Sequence, residues 1–215
     1  MKADVVLDIE TVTIPATHND LQEYLSNYRP PKNWKDPEKL AEHRAKFEAD
    51  ALTAMSSQRA FSIGGKRMVS CALGIADRRM GRVLDIQSWQ GEDLASICVG
   101  IRDYLAGVGE FRMVGWNFEE FDLPEIMKSF ALTKTTTKHI LPGKWDLVDL
   151  NYKPFRGKAL KECARAFGLE VMDVDGSSVA RLYEDGDWEK IKQYNEHDVY
   201  LTGMLLCYAS QFIAL

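Results

Sequence analysis

The sequence predicts a mixed α/β fold, in which a sheet of antiparallel and parallel strands is flanked by helices. Three observations lead there. Apolar, β-branched runs of strand length crowd the beginning of the chain, helical three-and-four spacing takes over later, and the strands come first instead of alternating strictly with helices. A length of 215 residues suits one such domain. Hydrophobic content of 46% and charged content of 27% match soluble globular chains, which sets aside disorder and fibrous repeats.

Lys2 to Ile9 and Met68 to Ile75 read as buried strands, the second preceded by a turn at Gly64 and Gly65. Gly81 to Trp89 follows as a third strand after a turn at Asp77 to Met80, so the first three are expected to form an antiparallel meander. Leu94, Ile97, Ile101 and Leu105 mark an amphipathic helix stopped at Gly107. Phe111 to Trp116 is a fourth strand and Trp145 to Leu150 a short fifth. Helices are expected at Leu123 to Phe130, Leu160 to Phe167 and Trp188 to about Ala209.

The stretch from about residue 15 to 60 differs in composition and reads as a charged helical insertion in a single domain. Asp36 and Pro37 look like an N-cap and first turn, and Leu40, Phe47, Ala51 and Met55 make a thin apolar stripe laid over the domain. Lys32, Lys35, Lys39, Arg44, Lys46 and Arg59 there are either phosphate contacts or a solvated helical face.

No apolar run is long enough to span a bilayer, and the first ten residues lack a basic-then-apolar leader, so a cytoplasmic protein without membrane attachment is expected. Cys71, Cys98, Cys163 and Cys207 lie far apart among apolar neighbours, which reads as reduced core packing and not thiolate zinc. The net charge of −5 weighs against a duplex-binding basic face, but clustered carboxylates that share cations would account for part of it.

Asp8 and Glu10 interrupt an apolar strand, and the two-residue period puts both on one face. Burying that pair raises at least one pKa unless a cation compensates. Asp198 repeats the anomaly on the buried stripe Ile191, Tyr194, Asp198, Leu201 and Leu205, with Tyr194 one turn before it. Asp122 falls where a strand ends, Asn117 marks a turn and a helix begins, a position that also suits a plain N-cap.

Three groupings, Asp8 with Glu10 and Thr11, Asn117 with Phe121 and Asp122, and Tyr194 with Asp198, together resemble the exonuclease motifs of the DEDD superfamily. Gln193 stands where histidine-type members carry histidine, so the resemblance is to the tyrosine subtype. It is closest to the proofreading exonuclease domain of family-B DNA polymerases and its stand-alone relatives. The resemblance covers about residues 2 to 14 and 61 to 210. It implies a ribonuclease-H-like fold, two divalent cations (Mg²⁺ or Mn²⁺), and release of nucleoside 5′-monophosphates from the 3′ end of single-stranded DNA.

On the same basis Asp8 would bridge two ions, Glu10 and Asp198 would hold the first, Asp122 would serve the second, and Tyr194 would orient the attacking water. Thr11 and Asn117 would contact the terminal nucleotide, beside Trp116, Phe118 and Phe121 as candidate stacking residues. The expected partner is a single-stranded or 3′-frayed nucleic acid, DNA ahead of RNA, with a polymerase or repair protein acting in trans. The rival readings are a 3′-5′ exoribonuclease and a catalytically silent nucleic-acid-binding accessory module.

Overall fold

The computed structural model describes residues 2–60, 65–136, 147–150 and 155–212. Their elements are β1 (Ala3–Thr13), α1 (His18–Ser26), α2 (Pro37–Ala60), β2 (Lys66–Asp77), β3 (Arg82–Gln90), α3 (Leu94–Val108), β4 (Phe111–Gly115), α4 (Asp122–Thr133), β5 (Leu147–Asp149), α5 (Leu160–Ala166), α6 (Val179–Glu184) and α7 (Trp188–Phe212). One 3-10 turn, Gly176–Ser178, precedes α6.

The strands form one sheet in the order β3-β2-β1-β4-β5. β2 and β3 pair antiparallel, while β1 with β4 and β4 with β5 pair parallel. The mixed sheet expected from the sequence is therefore present. The β2–β3 register slips between Leu73 and Ile75, and Asp85, at φ 50°, absorbs the extra residue of this bulge. The fifth strand ends at Asp149, one residue before the expected end; Trp145, where the expected strand begins, lies outside the described residues.

Alternation along β1 sorts its side chains between two cores. Val5 and Leu7 pack with Ile97, Ile101 and Ile126 of α3 and α4 on one face. Val6 packs with Val114, Val199 and Leu205 on the other, where α7 lies. Such burial contributes roughly 1.5–3 kcal/mol per large aliphatic side chain, enough to fix which face of β1 meets α7. All four cysteines are free and buried, in line with the reduced core role expected. Helix α3 runs one residue past Gly107 and stops before Gly109, whose φ of 81° an L side chain resists.

The chain divides into two compact units, Thr13–Arg67 and the remainder. Within Thr13–Arg67, Asp36 caps α2 as expected by accepting the Glu38 N–H at 3.0 Å, and α2 extends to Ala60. The sequence reading did not include α1, which opens with a Thr17/Asp20 capping box. Its Tyr24 stacks on Phe47 of α2 at 5.0 Å, and Tyr28 packs against the same ring, so the segment has an aromatic cluster of its own. Among the described residues, no helix is long and apolar enough to cross a membrane.

Candidate active site

The site lies at the C-terminal ends of the parallel strands. β1 supplies Asp8 and Glu10, two residues apart and on the face turned to α7. α7 supplies Tyr194, Asn195 and Asp198, all three buried within one turn of helix. Ligand oxygens of Asp8, Glu10 and Asp198 all lie within 4.8 Å of one another.

Asp122 reaches this end of the sheet from α4. It is the first residue of the helix and not its N-cap, a position held by Phe121 without a side-chain bond. Its Oδ1 instead accepts the Ile9 N–H of β1 at 3.1 Å, tying the helix start to the strand between the two acidic residues. Asp122 is close enough to push up the pKa of both Asp8 and Glu10, but it stands outside the set of three converging oxygens.

Burial is the main cause of the electrostatic strain here. It holds Asp8 well above the usual carboxylate range, reinforced by Glu10, Asp122 and Asp198 and opposed by a hydrogen bond from Asn195. Glu10 is raised by burial and then by Asp198 and Asp122, with Lys161 opposing. Asp198 is pushed up to about 6 by burial, against the Tyr194 hydrogen bond and the Lys161 charge. The Tyr194 phenol is itself raised far above its ordinary value, first by burial and then by Asp198 and Glu10, and it donates to Asp198.

The donor set suits a hard divalent cation. It is all carboxylate oxygen, with Glu10 and Asp198 buried and Asp8 half-buried. Asp198 Oδ1 has no hydrogen-bond partner among the described residues. A buried carboxylate oxygen left in that state is costly unless an ion meets it.

Sequence reasoning missed three residues. Asn195, wholly buried, donates through Nδ2 to Asp8 Oδ2 at 2.6 Å and accepts from Ser70 Oγ at 2.8 Å. Lys161 of α5 lies 4.8 Å from the centre of the Tyr194 ring and is the cation nearest in effect to Glu10 and Asp198. Only Ser70, a lone hydroxyl in an apolar strand, carried a signal in the sequence.

The candidate substrate contacts separate by burial. Thr11 is half-buried on β1, next to Glu10. Asn117 adopts φ 58°, and Asp149 of β5 holds its N–H at 2.9 Å. Trp116 is half-buried and stacks on Phe155 at 5.6 Å. Phe118, expected among the stacking residues, is 0% exposed and packed in the α3–α4 core, so it has no face for a base. Phe121, another of the candidate stacking residues, is 49% exposed. His197 is half-buried beside the Tyr200 ring, with its Nε2 buried and without a hydrogen-bond partner among the described residues.

This combination, a mixed sheet with acidic residues gathered at the ends of its parallel strands, defines an α/β protein with a carboxylate cluster that could hold a cation. A sequence model of the RNase_H superfamily matches residues 102–209, half of the chain, and the chain belongs to that superfamily. The matched region includes Asp122, Tyr194 and Asp198; Asp8 and Glu10 lie before it.

Among solved structures, the chain is similar to the family B DNA polymerase of the hyperthermophilic archaeon Pyrobaculum calidifontis. The TM-score is 0.59 at 15% sequence identity, over 98% of this chain and 24% of the polymerase chain. The chain thus spans about a quarter of that protein, and the likeness is one of fold. No curated protein sequence matches.

Proposed function

We propose that this protein is a metal-dependent 3′-5′ exonuclease that hydrolyses single-stranded DNA to nucleoside 5′-monophosphates. The observation that carries the reading is the convergence of Asp8, Glu10 and Asp198 within 4.8 Å in a buried setting. Direction along the strand and the preference for DNA rest on the resemblance to the tyrosine-type DEDD exonucleases.

In this reading Asp8, Glu10 and Asp198 would hold one divalent ion, and Asp8 with Asp122 would hold a second. Bound there, Mg²⁺ or Mn²⁺ supplies the charge that activates water and stabilises the attacked phosphate. The protein's part is to aim the oxygens. Asn195 fixes one Asp8 oxygen and leaves the other to face the site.

Tyr194 serves as a donor and not as a base. Its phenol is held protonated far above any working pH and gives its one hydrogen to Asp198, so it fixes that carboxylate and orients a water by accepting a hydrogen bond at its oxygen. Phe121, exposed beside the start of α4, supplies the stacking surface for a terminal base, and Asn117 the polar contact next to it.

The test is digestion of 5′-labelled DNA and RNA strands of matched sequence with Mg²⁺, with Mn²⁺ and with chelator. Stepwise shortening of the DNA that requires the metal supports the reading. A wild-type protein that leaves both strands intact in either metal refutes it, and faster digestion of RNA moves the assignment to exoribonuclease.

A further inference from the structure

The geometry points to a second nucleic-acid contact, a site for single-stranded polynucleotide on Thr13–Arg67, separate from the carboxylate centre. A cavity of about 630 Å³ lies within this unit, lined by Asn33, Trp34, Lys35, Asp36, Lys39, Glu42, His43 and Lys46. This site deepens the exonuclease reading by assigning part of strand capture to the inserted segment.

The charge on the chain is segregated. Thr13–Arg67 holds nine Lys and Arg against seven Asp and Glu, whereas the whole chain holds 27 against 32. A polyanion therefore meets net repulsion from the rest of the protein and a net attraction only here. Within α2, Lys39, His43 and Lys46 recur at helical spacing on one stripe, and Lys35 joins them from the preceding turn. Among the described residues Lys35, Lys39 and Lys46 have no salt-bridge partner, although Arg44 on the same helix pairs with Glu48 at 2.8 Å.

The acids of the cavity do not cancel the lysines. Asp36 and Glu42 set two carboxylates against the three ammonium groups of Lys35, Lys39 and Lys46, so the lining keeps a net positive charge. Trp34 is 44% exposed, an unusual place for an indole. The Trp34 backbone N–H bonds the Pro31 carbonyl at 3.1 Å, and the ring itself is held by an edge-on contact with the His43 ring at 5.4 Å. His43 is fixed in turn by Tyr28, whose hydroxyl meets Nδ1 at 3.0 Å.

A fixed, exposed indole beside unpaired lysines is the chemistry that binds a single strand without reading its sequence. A base stacks on the ring, and neighbouring phosphates meet the ammonium groups. Duplex DNA, with its bases already stacked, has no use for Trp34. A free mononucleotide has too few phosphates to use Lys35, Lys39 and Lys46 together.

The experiment measures fluorescence anisotropy of a labelled oligo(dT) strand in chelator, where it is not cut. Wild type is compared with Trp34→Ala, Lys39→Gln/Lys46→Gln and the charge-keeping Lys39→Arg/Lys46→Arg. We expect Trp34→Ala to weaken binding roughly tenfold. The glutamine pair should flatten the slope of log affinity against log salt by about 1.4, and the arginine pair should bind as wild type. Hydrolysis of the p-nitrophenyl ester of thymidine 5′-monophosphate, which is too small to span two sites, should stay unchanged in all three.

If Trp34→Ala and the glutamine pair bind the strand as wild type does, the second site is overturned while the nuclease reading stands. If free thymidine monophosphate displaces the strand at equal molarity, the cavity is a mononucleotide site and the proposal also fails. If binding depends on Trp34 and the lysines but no strand is shortened in Mg²⁺ or Mn²⁺, the nuclease reading falls and the binding site survives.

Discussion

Asn195 donates its side-chain N–H to Asp8 at 2.6 Å and takes a hydroxyl hydrogen from Ser70 at 2.8 Å, so a carboxylate on β1 is oriented by an amide on α7 and a hydroxyl on β2. Removing the amide frees Asp8 to rotate and leaves Ser70 buried without its acceptor. Asn195→Ala should therefore weaken Mn²⁺ binding, measured by calorimetry, by roughly 10- to 100-fold. It should also cost about 1–3 kcal/mol of stability in urea unfolding.

Asp8→Ala and Asp198→Ala should abolish divalent-dependent release of mononucleotides, because each removes an oxygen donor from the converging set. Near-normal digestion of a labelled strand by either variant would disprove their placement.

Tyr194→Phe should be milder, since no metal ligand is lost. The phenol's hydrogen bond holds the Asp198 pKa down, so its removal lets that pKa rise further above about 6. The acid limb of Mn²⁺ binding, where protons displace the ion from Asp198, should then move to higher pH. A limb that stays in place would mean that the phenol does not bear on Asp198.

Metal-free protein should lose stability as pH rises from about 4, where carboxylates of the unfolded chain begin to release protons. Asp198, raised to about 6, and Asp8 and Glu10, raised well above the usual range, keep theirs while folded. The folded state binds more protons across this interval, so the free energy of unfolding falls with pH. Thermal melting in chelator should give a Tm roughly 5 °C lower at pH 8 than at pH 5. Mn²⁺ at pH 8 should restore it by binding only the folded form.

Gly115→Ala should damage the site from a distance. A Cβ there would lie 2.5 Å from Phe118 Cβ, inside the contact that closes the turn between β4 and α4. Overpacking of this kind costs typically about 1–3 kcal/mol, and the displaced turn carries Asn117 and Asp122. Chemical denaturation and the strand-digestion assay should both register the change.

The residues most legible in the sequence were those that broke a period. Asp8 and Glu10 share one face of an apolar strand, and Tyr194 and Asp198 sit one turn apart on a buried stripe. Asn195 broke nothing visible, because a polar residue in a helix between Tyr194 and Asp198 is ordinary until Ser70 arrives from β2. Lys161 owes its role to α5 packing against α7, a pairing that no local pattern announces.

Phe118 was misjudged for a related reason, whereas Phe121 has the exposed face that a stacking residue needs. They lie in a turn, where neither a two-residue nor a 3.6-residue period applies. Their burial is set by the close approach at Gly115 and by the left-handed backbone at Asn117. Helix α1 escaped because it has no buried residues to make a stripe; its only local signal was the Thr17 and Asp20 pair.

The backbone bond from the Ile14 N–H to the Gly65 carbonyl, at 2.8 Å, places the two ends of the inserted segment side by side. A chain that leaves and returns at one point can vary in between at little thermodynamic cost, since closure entropy grows only with the logarithm of loop length. Evolution or an engineer could therefore lengthen, shorten or exchange the stretch between Ile14 and Gly65 and still hand the chain back at the same point.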